Sequence, residues 1–221
     1  MYSMASVFAP AILAAGSFVA FPAAAATVTV LDSNQPSGTA IDLAVADFER
    51  IGNCGGGGSV VGDGCAVVAK ANPKAAHAFG RFDPLGHYWI DSQDINELKW
   101  TVRAPQAFTS LSFALTDAHD QPNSFFTMSY MDNGTWTPIW NIATRKNNGN
   151  LYWLSVDFGK AVNEAVFLFS TKVGAGYDGY GISTAQVNSP APVPVPPAAL
   201  LLGSGALVMA GLGRRRRKGR G

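Results

Sequence analysis

Hydrophobic and polar residues alternate with a period of two through much of the chain between residues 27 and 189. In LKWTVR, Leu98, Trp100 and Val102 fall on one side, and the residues between them are polar. The segments LSFALT and FFTMSYM repeat this pattern. A period of two is typical of β-strands with one buried face, whereas the 3.6-residue period of amphipathic helices is almost absent.

Nine segments of this kind, or ten if AIDLAVADF is counted, follow one another, separated by clusters of Gly, Asn, Asp and Pro. One cluster, Asp132-Asn133-Gly134, is a strong signal for a tight hairpin turn. Short strands at this spacing predict one all-β domain over residues 27–189, an antiparallel β-sandwich of jelly-roll type. AIDLAVADF alternates imperfectly, so a short helix is the alternative there. The strand segments are TVTVL, AIDLAVADF, CAVVAK, LKWTVR, LSFALT, FFTMSYM, TWTPIW, LYWLSVDF, AVFLFST and GISTAQV.

The first 26 residues have the composition of an export signal. The apolar run from Val7 ends in Ala24-Ala25-Ala26, which resembles the small-residue site of signal peptidase. No Lys or Arg precedes the apolar run, so the usual basic n-region is missing. We expect residues 1–26 to be a secretory signal peptide that engages the Sec export machinery and is then removed.

The other end of the chain divides into three parts. Residues 190–197 are rich in proline, which favours an extended and stiff spacer. Residues 198–213 are apolar, and a helix of that length spans roughly 24 Å, less than the roughly 30 Å of a bilayer core. Residues 214–221 carry the arginine block, which is expected to stay on the cytoplasmic side.

This tail resembles the C-terminal sorting signals of the VPLPA-CTERM and PEP-CTERM type, found on exported proteins of Gram-negative bacteria. Val193-Pro194-Val195-Pro196 is similar to V-P-L-P, with Val195 for leucine and Pro197 where alanine is usual. Against the P-E-P form, Val195 replaces the glutamate. The resemblance implies an exosortase-type membrane transpeptidase as partner, a transient inner-membrane anchor, and then a place at the cell surface or outside the cell. A permanent single-span anchor is the alternative.

Charge and cysteine content agree with export. Six of the sixteen basic residues lie in the tail, which leaves ten basic against fifteen acidic residues upstream, a net charge of about −5. A mildly acidic body argues against nucleic-acid binding. Cys54 and Cys65 bracket a glycine-rich stretch, and in an oxidising compartment they are expected to form a disulfide. Two thiols without nearby histidines fall short of a zinc site.

Catalytic signatures are hard to find. The three histidines do not have the spacing of a metal motif, and the body has no G-x-S-x-G. The densest polar group holds Asp83, Asp91 and Asp94, in RFDPLGHYWIDSQD. These carboxylates would be the candidates if the protein were a secreted polysaccharide hydrolase, although turn-forming aspartates explain them as well. We therefore expect a non-enzymatic protein.

A second polar group, TDAHDQPN, lies between two strong strands. Asp117, Asp120 and Asn123 offer oxygen ligands that suit calcium, although they lack the spacing of an EF-hand. A loop in which these side chains cap turns is the alternative. No other cofactor is predicted.

Aromatic residues provide the third candidate site. Trp100 lies on the same side of its strand as Leu98 and Val102 and is expected in the core. Trp153 lies on the side of its strand opposite its apolar neighbours and is expected to be exposed. Trp136 and Trp140 are expected to share one face of an edge strand, with Pro138 between them. Exposed aromatic rings stack on sugars, so the sequence predicts a surface or matrix protein that binds extracellular polysaccharide.

Overall fold

The structure, a computed structural model, describes residues 25–32, 38–54, 66–71, 80–171 and 178–190. The predicted signal peptide up to residue 24 lies outside these residues, as do Cys65, the motif Val193–Pro196 and the predicted helix and basic tail. Within the described residues, no helix has the length and apolar character needed to cross a membrane.

Ten β-strands make up the described fold, and every pairing between them is antiparallel. The described residues contain no α-helix, only a 3-10 turn at Val45–Asp47. The fold is therefore all-β, as predicted. The strands are β1 Thr27–Leu31, β2 Thr39–Ala40, β3 Phe48–Arg50, β4 Val68–Lys70, β5 Trp89–Asp91, β6 Glu97–Thr116, β7 Phe126–Asp132, β8 Thr135–Ile142, β9 Leu151–Thr171 and β10 Gly181–Asn188.

The two longest strands, β6 and β9, each join two segments that the sequence suggests are separate. They pair along their whole length, with register shifts around Phe108. Pro105 lies in this part of β6 and has no N–H for a ladder hydrogen bond. In the part of β9 that faces Phe108–Ser110, Gly159 adopts a φ of 63°, a value that favours glycine. The apparent chain breaks are thus bends within continuous strands.

The bends fold the β6–β9 ribbon back over itself. Trp100 and Phe113 are thirteen positions apart on β6, which would separate them by roughly 43 Å on a straight strand. Their ring centroids are 5.3 Å apart, in an edge-to-face contact. The two halves of the ribbon must therefore face each other across the core, which confirms the predicted β-sandwich. Its finer assignment to the jelly-roll type stays a prediction.

Each half of the ribbon carries one layer of the sandwich. Layer A has the order β3, first half of β6, second half of β9, β7, β8. Layer B has the order β4, β5, β10, second half of β6, first half of β9, β1, and β2 also pairs with β10. Trp100 lies at the centre of the core, where its ring stacks on Phe48 at 5.5 Å and contacts Phe167 at 5.8 Å.

Two short segments test the local predictions. The hairpin turn at Asp132–Gly134 is confirmed, with Asn133 and Gly134 at φ values of 49° and 80°, typical of a tight type I′ turn. AIDLAVADF is wrong as a strand, because most of it is irregular and leads through the 3-10 turn into β3.

Cys54 forms an isolated bridge with Ile95. Because Cys65 lies outside the described residues, the Cys54–Cys65 disulfide stays a prediction.

Candidate functional site

Residues 80–88, here called the covering segment, pack over part of the outer face of layer B, where they contact Thr116 and Thr184. Thr116 points away from the core, yet it is fully buried. Its hydroxyl accepts a hydrogen bond from the backbone N–H of Phe82 and donates one to the Phe82 carbonyl, both at 3.2 Å. The face that period-two alternation would assign to solvent is therefore partly occupied by the chain itself.

A cleft of about 200 Å³ opens between the covering segment, residues 40–43 and the middle of β10. The backbone N–H of Ile41 bonds to the Ala185 carbonyl at 3.0 Å, which holds one wall against β10. The register of β10 against β6 shifts between Ser183 and Gln186, and this bulge shapes the floor. The lining residues are Ala40, Ile41, Asp42, Leu43, Asp83, Leu85, His87, Tyr88, Thr184, Ala185 and Gln186.

Thr184 lies in the bulge with a φ of 49°. Positive φ is unfavourable for a β-branched residue, so the surrounding contacts must hold this conformation. The Thr184 hydroxyl donates to Asp83 Oδ1 at 3.0 Å, across the cleft floor. Strained backbone of this kind is concentrated at functional sites, which makes the cleft the leading candidate.

Asp83 organises the covering segment. It is 3% exposed, and its Oδ1 accepts the backbone N–H of Leu85 at 2.8 Å, while Oδ2 accepts that of His87 at 3.1 Å. Gly86 completes the turn with a φ of 78° and a hydrogen bond to the Asp83 carbonyl. With both oxygens engaged, Asp83 shapes the cleft, and this position confirms the alternative explanation of a turn-forming aspartate.

Tyr88 presents the largest exposed apolar surface at the cleft, with 38% of the residue accessible. Its phenol oxygen accepts a hydrogen bond from the backbone N–H of Leu43 at 3.0 Å, which fixes the ring against the wall formed by residues 40–43. The phenol hydrogen is still available to a ligand. Asp42 and Gln186 add a carboxylate and an amide to the rim, and the His87 side chain is 69% exposed.

The other predicted hydrolase carboxylates belong to a buried ion-pair cluster. Asp91 is 1% exposed and contacts Arg81 Nη1 at 2.9 Å, Lys70 Nζ at 2.5 Å and Gln93 Nε2 at 2.8 Å. Asp94 Oδ1 lies 3.7 Å from Arg81 Nη2. Both carboxylates neutralise a guanidinium inside the protein, so the structure brings them to Arg81 and not to the cleft.

The predicted calcium loop holds two buried carboxyl groups, Asp117 and Asp120, whereas Asn123 is exposed. Asp117 Oδ1 accepts the Gly149 N–H at 2.9 Å, and burial raises the pKa of this carboxyl to about 7. Among the described residues, no three His, Cys, Asp or Glu side chains converge as metal ligands. The calcium site stays a prediction.

Asp178 is the neighbour that the sequence analysis missed. Its Oδ2 accepts the backbone N–H groups of Asp120 at 2.9 Å and of Gln121 at 3.4 Å. Burial, together with the adjacent Asp120 carboxyl, raises the pKa of Asp178 to about 8. Two buried carboxyl groups in contact carry less repulsion if they share a proton. Asp120 and Asp178 are 58 positions apart, so no sequence motif connects them.

Trp153 is buried, contrary to prediction, with 8% of the residue exposed. It does point away from the core, but its face of layer B is not open. Ala114 beside it on β6, and Ser183 on β10, are both fully buried on the same face. The indole therefore lies in a covered surface, which the alternation along β9 alone could not reveal.

Trp136 and Trp140 lie on opposite faces of β8, which corrects the prediction of a shared face. A bulge separates the pairs Met128–Trp140 and Ser129–Pro138, and the extra residue, Ile139, reverses the alternation. Trp140 consequently points inward and packs edge-to-face on Phe126 at 6.1 Å and on Tyr152 at 5.3 Å. Trp136 and Pro138 remain on the outer face of layer A.

Several cleft residues escape sequence reasoning. RFDPLGHYWIDSQD stands out as the densest polar stretch, and it does supply Asp83, His87 and Tyr88. Asp42 and Gln186 come from segments with no chemical signature and reach the cleft only through the pairing of β2 with β10. The strain at Thr184 depends on backbone geometry, which the sequence GISTAQV does not reveal.

Comparison with known proteins gives little further guidance. The chain matches no protein-family model and no curated protein. Among solved structures, it is similar to Caldicellulosiruptor saccharolyticus CBM27-1 in complex with mannohexaose, with 14% sequence identity over 70% of this chain and 98% of that chain. The TM-score of 0.40 is too low to support any conclusion about ligand or activity.

Proposed function

We propose that this protein is an exported surface or matrix component whose β-sandwich binds extracellular polysaccharide without cleaving it. The observation that carries the proposal is the Tyr88 ring, exposed at the cleft and fixed by the hydrogen bond from the Leu43 N–H. A fixed aromatic ring offers a flat apolar surface at little cost in conformational entropy. Hydroxyl groups of a sugar would then meet Asp42, His87 and Gln186.

The size of the cleft limits what it would enclose. At about 200 Å³ it is smaller than the about 300–1,000 Å³ of sites that surround a drug-sized ligand. One sugar unit or a chain end would enter, and the rest of the polymer would lie along the surface. Affinity per site should therefore be modest, and useful retention would come from repeated units.

Binding without cleavage is supported by the state of the carboxylates. A glycosidase needs two carboxyl groups that flank the scissile bond and are available for proton transfer and attack. Asp83 bonds to two backbone N–H groups and a hydroxyl, and Asp91 is paired with Arg81 and Lys70. Neither of these carboxylates has the freedom that the hydrolase alternative requires.

Substitution of Tyr88 tests the function. Isothermal titration against a panel of soluble polysaccharides should show binding by the native domain that Tyr88→Ala weakens at least about tenfold, because aromatic anchors dominate such contacts. Tyr88→Phe should retain most of it. Phe125 is a matched control, since it is 42% exposed and lies outside the cleft lining. Equal effects of Tyr88→Ala and Phe125→Ala would contradict the assignment.

The outer face of layer A is a second candidate surface for the same ligand. Trp136 pairs with Met131, and Pro138 pairs with Ser129 on that face. Only Trp136 of the three predicted sugar-binding tryptophans keeps an accessible place there. Trp136→Ala, combined with Tyr88→Ala, should weaken retention on immobilised polysaccharide more than either change alone. If the double variant matches Tyr88→Ala, this face does not contribute.

Delivery through the tail is the remaining part of the proposal, and it is supported by the sequence alone. We expect the mature protein to begin near Thr27 and to lack residues 214–221, after an exosortase-type enzyme acts near Val193–Pro196. Intact-mass measurement of protein from the native host would test this. A membrane-bound form that retains the arginine block would favour the permanent anchor.

A further inference from the structure

We propose that the sugar recognised by the cleft carries a free amino group, so that the preferred ligand is a polymer of partly deacetylated hexosamine. This inference rests on the proposed function and concerns the same cleft. It follows from the charges that face the cleft and from the one carboxylate there that has no partner.

The charged groups of the cleft are of one sign. Asp42 and Asp83 line it, and none of the lining residues that the structure describes is a lysine or arginine. Polymers of uronic acids or sulfated sugars would bring negative charge to these carboxylates and would be repelled. The net charge of about −5 upstream of the tail acts in the same direction.

The two carboxylates differ in availability. Asp83 is buried and has its oxygens committed to Leu85, His87 and Thr184. Asp42 is exposed at the rim, and within the described part of the chain its side chain makes no hydrogen bond or ion pair. An ammonium group on a sugar ring stacked against Tyr88 would give the Asp42 carboxylate both a hydrogen bond and an ion pair.

Among the described residues of the lining, His87 is the one side chain that can carry a positive charge. Its Nδ1 lies 3.7 Å from Asp83 Oδ2, so the positive charge of a protonated His87 is balanced by Asp83 and leaves Asp42 unpaired. Neutral sugars could hydrogen-bond to Asp42, but they would not neutralise it. This difference is what separates an amino sugar from its acetylated form.

A matched pair of ligands tests the inference. Glucosamine oligosaccharides and fully N-acetylated oligosaccharides of the same length would be titrated into the native domain at mildly acidic pH. We expect about three- to tenfold tighter binding of the glucosamine form, as for one partly exposed ion pair, and a preference that weakens with added salt.

Charge removal then assigns the preference to Asp42. Asp42→Asn should abolish the preference, so that the variant binds the glucosamine and the acetylated form with affinities within about twofold of each other. Asp32→Asn is the matched control, because Asp32 is also exposed but follows β1, three strands away from β10 across layer B. It should leave the preference unchanged.

The outcomes separate this inference from the function on which it rests. Equal binding of the two ligands, or a preference that survives Asp42→Asn, would overturn it, while sensitivity to Tyr88→Ala would still support polysaccharide binding. Absence of binding to either ligand, together with no effect of Tyr88→Ala on any polysaccharide, would overturn both.

Discussion

Replacing Asp178 by Asn should change how the stability of this protein depends on pH. Asp178 is 3% exposed and contacts the backbone N–H and the carboxyl group of Asp120, which is 5% exposed. One oxygen of Asp120, Oδ1, is buried without a conventional donor. A single proton shared by the two carboxyl groups accounts for this arrangement, and it would hold loop 117–125 to the chain just before β10.

The magnitude follows from the raised pKa of Asp178. Its ordinary value is 3.8 and the folded value is about 8, because burial and Asp120 favour the protonated form. Between these values the folded protein keeps a proton that the unfolded chain has released. The stabilisation is thus complete below the unfolded pKa and is lost as pH rises towards the folded one. Because the folded protein retains one proton more than the unfolded chain, its free energy of unfolding falls by about 1.4 kcal/mol per pH unit. The loss is about 2–3 kcal/mol between pH 5 and pH 7.

Asn has nearly the same shape but cannot ionise. Its side-chain oxygen accepts the same backbone donors, and its amide N–H donates to Asp120 in place of the shared proton. The free energy of unfolding of Asp178→Asn, relative to the native protein, should therefore rise by about 2–3 kcal/mol between pH 5 and pH 7. Urea unfolding at several pH values would measure this difference directly.

Two further variants make the test decisive. Asp32→Asn, at an exposed position, should run parallel to the native protein at every pH. Asp120→Asn should reproduce the effect of Asp178→Asn, because either side can supply the amide donor. If both amide variants run parallel to the native protein, no proton is shared. Stabilisation by calcium that Asp120→Asn removes would instead support the predicted calcium site.

Three other predictions concern Thr184, the tryptophans of the two layers and the predicted disulfide. Thr184→Val keeps the branched shape but removes the hydroxyl donor below the cleft, so thermal unfolding should show a loss of about 1 kcal/mol, whereas Thr184→Ser should lose less. Trp153→Ala should destabilise the domain by about 3–4 kcal/mol, and Trp136→Ala by less than about 1 kcal/mol; similar losses would contradict their different burial. Alkylation of exported protein without reductant should label neither Cys54 nor Cys65, and labelling of both would exclude the disulfide.

Local alternation and turn chemistry were enough to predict the class of fold. The strands at LKWTVR, FFTMSYM and GISTAQV and the hairpin turn at residues 132–134 all lie where the sequence places them. These features depend on interactions between near neighbours, which one segment of sequence contains. The core position of Trp100 follows from the same alternation.

Alternation failed where the tertiary structure changes which face is buried. The bulge at Ile139 reverses the phase of β8, so Trp140 turns inward while Trp136 stays outside. The covered outer face of layer B buries Trp153 together with Ala114. For Trp140 the cause is one extra residue, whose effect shows only when the strand is paired. For Trp153 the cause is neighbours that are distant in sequence.

The sequence by itself determined an antiparallel β-sandwich, because a period of two and Asn-Gly turn chemistry are properties of the local chain. The cleft was decided by the tertiary structure alone. It needs a bulge in β10 that strains Thr184, a carboxylate from the covering segment, and a wall from residues 40–43. Such a site exists only once segments nearly 150 positions apart are paired, since no local interaction among these residues favours their meeting.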